Sequence, residues 1–155
     1  MKKLLLVFNI LLFSIGVFVM LVGIGGLIFT YNSVVKENIT TPNDAYIPGV
    51  LVSGPLTLKS QADIIRVHTL RATEGKTFAQ MPSKIAKIDE NGLPVVDVDG
   101  NPVMVANEKR DIWITAFALM NALNIGIMAY LVSGLMILLG FALIISSIIF
   151  RLAGV

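Results

Sequence analysis

The chain has 155 residues, 55% of them apolar and only 14% charged, with a formal net charge of +2 and a mean hydropathy of +0.83. A soluble domain carries about 25% charge, so this composition argues against an ordinary water-soluble globule. The segment 36–111 holds nine Lys/Arg against ten Asp/Glu and offers no basic stripe for nucleic acid. With no cysteine and the single histidine His68, disulfides, thiolate metal sites and a two-histidine site within one chain are all excluded.

Apart from Lys2, Lys3 and Arg151, every charged residue lies between Lys36 and Asp111. Two charge-free runs result, 4–35 and 112–150, of 32 and 39 residues. A run of about 18 apolar residues is already the signature of a membrane span. The first run, with Lys2-Lys3 before it, starts like a secretory signal. Its apolar stretch continues past Gly25-Gly26 and no A-x-A site follows. Residues 1–31 therefore read as a transmembrane helix of the uncleaved signal-anchor type.

Residues 32–111 read as an extracytoplasmic insert. Between 36 and 56, Pro42-Asn43-Asp44, Pro48-Gly49 and Ser53-Gly54-Pro55 predict an extended, tightly turned strap. Asn38-Ile39-Thr40 is formally a glycosylation sequon, to which no function is assigned. From Thr57 to Thr73, Leu58, Ala62, Ile65, Thr69 and Ala72 recur at helical spacing. Thr57 is expected to cap this helix and Gly75 to end it. Asp63 and His68 on it are the only natural ligand centre, although a lone helical histidine is more simply a packing or surface residue.

Over 84–106 the period changes. β-Branched residues interrupted by Asp89-Glu90-Asn91-Gly92 and Asp99-Gly100-Asn101-Pro102 predict two or three short antiparallel strands. Asp97, Asp99, Asn101 and Glu108 have partial calcium-loop spacing, but Pro102 occupies the position that requires glycine. Gly75-Lys76-Thr77 resembles the end of a phosphate loop without the upstream glycine, and reads as a helix-terminating turn. No catalytic triad, nucleophile elbow or cofactor motif is present, so no enzymatic activity and no cofactor are expected.

Thirty-nine helical residues would reach about 58 Å, nearly twice the hydrocarbon core. The second run is therefore divided into an interfacial or projecting segment, 112–124, with Trp113 near headgroup level, and a second span, 125–151. Lys2, Lys3, Trp113 and Arg151 are the expected membrane-interface residues. Lys2-Lys3 and Arg151 favour a cell-membrane protein with cytoplasmic termini. The expected fold is an antiparallel two-helix transmembrane hairpin with a small α+β insert of one helix and a short β-hairpin or meander.

Asn9, Gly16, Gly23 and Thr30 recur every seventh residue in the first run. Gly126, Ser133, Gly140 and Ser147 do the same in the second. A seven-residue period stays on one face of left-handed wrapped helices, and small residues mark close approach in lipid. An antiparallel pair would set Asn9 against Ser147, Gly16 against Gly140, Gly23 against Ser133 and Thr30 against Gly126.

Ile39–Ala45, Gly54–Thr57, Gln61–Ile65 with His68, and Thr73–Met81 together resemble the small two-span membrane proteins common in actinobacteria. Residues 84–106 are additional relative to the shorter members. Some members carry the label aromatic ring-opening dioxygenase. Such enzymes hold non-haem iron with histidines and a carboxylate, and one histidine cannot build that site. The resemblance implies a bacterial membrane setting and this architecture, with no activity and no functional residues. The function expected is a non-enzymatic accessory or scaffold protein, presenting the insert to another membrane protein or to its own copies. The alternatives are a homo-oligomeric pore lined by Asn9, Ser14, Thr30, Asn124, Ser133 or Ser146, and a small-ligand receptor or enzyme centred on Asp63 and His68. A pump or carrier is disfavoured because neither run holds an ionisable side chain other than tyrosine.

Overall fold

The computed structural model describes residues 2–153. The Lys2 side chain, assigned above to the membrane interface, lies outside what is described. The described chain is mostly helical: α1 (Lys2–Lys36), α2 (Pro55–Ala72) and α3 (Glu108–Leu152), with a 3-10 turn at Phe78–Gln80. A two-stranded antiparallel sheet pairs β1 (Lys84–Ala86) with β2 (Met104–Ala106), Ile85 opposite Val105. Helices α1 and α3 are each long and apolar enough to cross a membrane.

Two compact units are present. The first contains the described residues up to Gln61 and those from Leu123 onward; the second is Ala62–Ala122. Residues 32–61, grouped from the sequence with the insert, thus pack in the unit that holds most of the apolar helices.

In the first unit the two helices run in opposite directions and touch along the small residues. Gly16, Gly23, Thr30, Ser133, Gly140 and Ser147 are all buried. A methyl group added at Gly140 would lie 2.6 Å from the Gly16 carbonyl oxygen. One added at Gly23 would lie 2.8 Å from the Ser133 carbonyl oxygen. At one end of the contact, Asn9 Nδ2 donates to the Ser147 carbonyl at 3.1 Å, and the Ser147 hydroxyl donates to the Asn9 side-chain oxygen. Toward the other end the expected partners change. The Thr30 hydroxyl donates within its own helix to Gly26 O at 2.8 Å, while Gly126 faces Leu58 and Val34. Leu58, only 2% exposed, fills the space beside Gly126.

Outside this contact the apolar side chains point away from the pair. Leu4, Phe8, Phe18, Phe29, Leu135 and Leu138 are each more than half exposed. Exposed apolar area on this scale marks a surface meant for lipid or for protein.

Helix α1 continues past residue 31 because no glycine or proline intervenes before Pro42. It ends at Asn38, whose φ of 49° is the left-handed state that asparagine tolerates. The strap then closes on itself. Val52 N–H donates to Ile39 O at 2.8 Å, and Thr41, 2% exposed, exchanges bonds with Val50 through both backbone and hydroxyl. Helix α2 starts two residues earlier than expected, at Pro55, which suits a first helical position. Thr57 is therefore inside the first turn, where its hydroxyl accepts the Ser53 and Gly54 N–H groups, both at 3.0 Å. Tyr130 OH donates to Ser53 O at 2.6 Å, tying the strap to α3.

Helix α3 is unbroken from Glu108 to Leu152, so residues 112–124 and 125–151 form one continuous helix. The polar residues Thr115, Asn121 and Asn124 within it each cost less than about 0.7 kcal/mol in a helix interior.

Gly140→Leu is expected to destabilise the first unit by about 1–3 kcal/mol, since a side chain there must displace backbone rather than a flexible tip. Gly134→Leu, where an added Cβ meets nothing within 4 Å, is expected to leave stability unchanged. Unfolding of both variants in the same detergent, followed by far-UV circular dichroism, separates them.

Candidate functional site

The second unit is organised around Trp113, Met81, Ala116 and Met120, with Ile65 and Leu70 packed against them. Three local devices bring these residues together. The first is the end of α2. Gly75 N–H donates to Leu70 O at 2.7 Å and Glu74 N–H to Arg71 O at 3.3 Å, with positive φ at Glu74 (55°) and Gly75 (77°). This is the Schellman pattern, and the left-handed residue that closes it is Glu74 rather than the expected Gly75.

The second device is Asn107, which is 6% exposed. Its side-chain oxygen accepts Lys109 N–H at 3.2 Å and caps α3, while Nδ2 donates to Pro82 O at 2.9 Å. The third is Trp113. Its Nε1 donates to Lys76 O at 2.8 Å and to Thr73 Oγ1 at 3.1 Å. The side chain is 5% exposed and Thr73 is fully buried. Trp113 is thus a core residue of this unit with its polar tip satisfied internally.

Beyond the core, Lys87, Val95 and Val103 close a ring of three backbone hydrogen bonds. Val95 N–H donates to Lys87 O, Val103 N–H to Val95 O and Lys87 N–H to Val103 O, all at 2.8 Å. Two tight turns project from this ring. In the first, Asp89 Oδ1 accepts the N–H groups of Asn91 and Leu93 at 2.9 and 2.8 Å. In the second, Asp97 Oδ1 accepts those of Asp99 and Asn101 at 3.0 and 2.9 Å. Gly92 and Gly100, with φ of 80° and 84°, supply the left-handed step in each. The sequence holds a matching repeat, Asp89-Glu90-Asn91-Gly92-Leu93-Pro94-Val95 and Asp97-Val98-Asp99-Gly100-Asn101-Pro102-Val103. The second turn therefore begins at Asp97, two residues earlier than the sequence pattern of β-branched runs had placed it. Asp97, the would-be first calcium ligand, acts as an acceptor for the turn's own backbone.

The sequence-derived ligand candidates are not brought together in one pocket. His68 is exposed and lines a groove of about 510 Å³ with Glu108, Asp111, Ile112, Thr115 and Leu119, among others. Asp63 is also exposed and is not part of that lining. Among the described residues, no three of His, Asp and Glu gather as metal ligands. A second cavity of about 500 Å³ lies beside Trp113, walled by Phe78, Ala79, Ile114 and Phe117, with Arg66 and Thr77 as its polar members. Arg66 reaches over the Trp113 ring at 5.9 Å, and Arg110 stacks on the Phe78 ring at 3.9 Å. Of the remaining interface residues assigned from sequence, Lys3 and Arg151 are exposed on α1 and α3. No family model matches the chain, nor does any curated protein or solved structure.

One ion pair ties the end of α2 to the start of α3: Lys109 Nζ donates to Glu74 Oε1 at 2.6 Å. That hydrogen bond, reinforced by the ammonium charge, holds the Glu74 carboxyl below the ordinary carboxylate range. A carboxyl whose folded value is depressed contributes above its unfolded value and loses that contribution as the pH falls through the folded one. Carboxyl-detected NMR is expected to show Glu74 titrating below an ordinary glutamate, and returning to the ordinary value in Lys109→Met or in high salt. Trp113→Phe removes the donor shared by Lys76 O and Thr73 Oγ1. It is expected to destabilise the second unit by about 1–3 kcal/mol, seen as faster amide hydrogen exchange across 62–122 while exchange in α1 is unchanged.

Proposed function

We propose that this chain is a non-enzymatic accessory or scaffold protein of a bacterial cell membrane. In this reading α1 and the C-terminal part of α3 cross the bilayer as an antiparallel hairpin with cytoplasmic ends. Residues 32–111 lie outside the cytoplasm and offer an interaction module to another membrane protein or to a second copy of the chain. The observation that carries the reading is the pairing of two helices through small residues of their charge-free runs while their large apolar side chains face outward. Lipid supplies no hydrophobic force between helices, so close backbone packing of this kind is what association in a bilayer requires.

The polar side chains of the pair support a scaffold over a pore. Asn9 and Ser147 bond each other, Thr30 bonds its own helix, and Thr30, Ser133 and Ser147 are all buried. Of the groups expected to line a pore, Asn9, Thr30 and Ser133 are therefore taken up within the pair, whereas Ser14 and Asn124 are exposed. The module's exposed apolar points, Leu93, Val96 and Val98 at the turn tips, are suited to a partner surface.

Because the chain is free of cysteine, single cysteines give an unambiguous topology test. A membrane-impermeant maleimide is expected to label Val98→Cys in intact cells and Lys3→Cys only after permeabilisation; the reverse pattern contradicts the orientation. Native mass spectrometry of the protein in lipid is expected to show a defined oligomer or a co-purifying membrane protein. A strictly monomeric, partner-free chain contradicts the scaffold role.

A further inference from the structure

Two cavities of the second unit are alike in size and opposite in charge. The groove at His68 carries Glu108 and Asp111 in its lining, whereas the cavity at Trp113 carries Arg66 and no acidic residue. Five of the seven lining residues of the latter are apolar: Phe78, Ala79, Trp113, Ile114 and Phe117. The Trp113 N–H is already committed to Lys76 and Thr73, so the indole adds no polar group to the wall. Arg110, stacked on the wall residue Phe78, adds positive potential to that of Arg66.

We propose that this cavity holds one acyl chain of an anionic phospholipid, with Arg66 receiving the phosphate. An apolar channel with a guanidinium at its rim matches both parts of such a molecule, since arginine binds phosphate with paired donors. A protein helix is a poor occupant, because a helix 10–12 Å across fills about 500 Å³ in a single turn. A free anion would leave the five apolar walls unused. The source is the surrounding membrane: Trp113, Ile114 and Phe117 belong to the charge-free run 112–150 that continues as the second span. In that respect the inference rests on the membrane reading above.

Trp113 is the only tryptophan, so its fluorescence reports this cavity alone. The protein is reconstituted in phosphatidylcholine vesicles, and phosphatidylglycerol with brominated acyl chains is titrated in. Quenching is expected to saturate with brominated phosphatidylglycerol and to be absent with brominated phosphatidylcholine at the same fraction. Arg66→Gln is expected to weaken the apparent affinity about tenfold, the scale of one charged hydrogen bond, and Arg66→Lys to restore only part of it. Ala79→Phe, which fills the cavity and keeps the charge, is expected to abolish saturable quenching while the far-UV spectrum stays that of the parent. Equal quenching by both lipids, no effect of Arg66→Gln, or full displacement by inorganic phosphate would each overturn the lipid site. A protein that fails to float with phosphatidylcholine vesicles defeats the membrane reading itself; one that floats without preferring phosphatidylglycerol defeats only this inference.

Discussion

The first unit depends on how closely two helix backbones can approach. At Gly16, Gly23 and Gly140 there is no room for even one added carbon, and the obstacles include carbonyl oxygens and amide nitrogens that cannot move aside, together with the Ile137 and Ile144 side chains. Contact at that range gives many small dispersion gains at once. It also leaves the large side chains free to cover the outside. Asn9 and Ser147 close one end with side-chain hydrogen bonds, and Leu58, held by the strap, fills the space beside Gly126. The strap is ordered by its own backbone bonds around Thr41, so the unit joins a tight helix pair to a rigid loop.

The second unit is built on a different principle, a small core in which polar groups are satisfied by design of the turns. Trp113 contributes apolar area and one donor, and the Schellman turn at Glu74-Gly75 puts Lys76 O and Thr73 Oγ1 where that donor reaches them. The two repeated turns use aspartate carboxylates in the same way, as acceptors for their own backbone. Side chains that might have suggested chemistry are thus occupied in holding shape. This supports the proposed role of a presenting module, and leaves charge and apolar shape at Arg66 and Phe78 as the features available to a ligand.

Legibility in the sequence followed the strength of the periodic signal. The seven-residue recurrence of small residues pointed to the faces that meet, because one short side chain at every second turn is both the cause of the contact and its visible mark. The pattern lost accuracy where a third element entered: Gly126 packs on Leu58, which comes from α2 and is far away in sequence. The burial of Trp113 was not legible, because it depends on acceptors at 73 and 76 that no local pattern announces. The turn at Asp97 was misplaced because hydrophobic alternation was followed there instead of the eight-residue repeat, which is readable once Asp89 and Asp97 are aligned. The cavity at Arg66 brings together α2, the 3-10 turn and α3, and spacing within any one of them does not reveal it.

The central claim is that Asn9 and Ser147 meet within one chain embedded in a bilayer. The most direct measurement is oxidative cross-linking of Asn9→Cys/Ser147→Cys, in an otherwise cysteine-free protein reconstituted in liposomes. The account predicts a disulfide within the monomer, seen as a mobility shift reversed by reductant and independent of protein density in the membrane. Cross-links only between chains, or none, would contradict it.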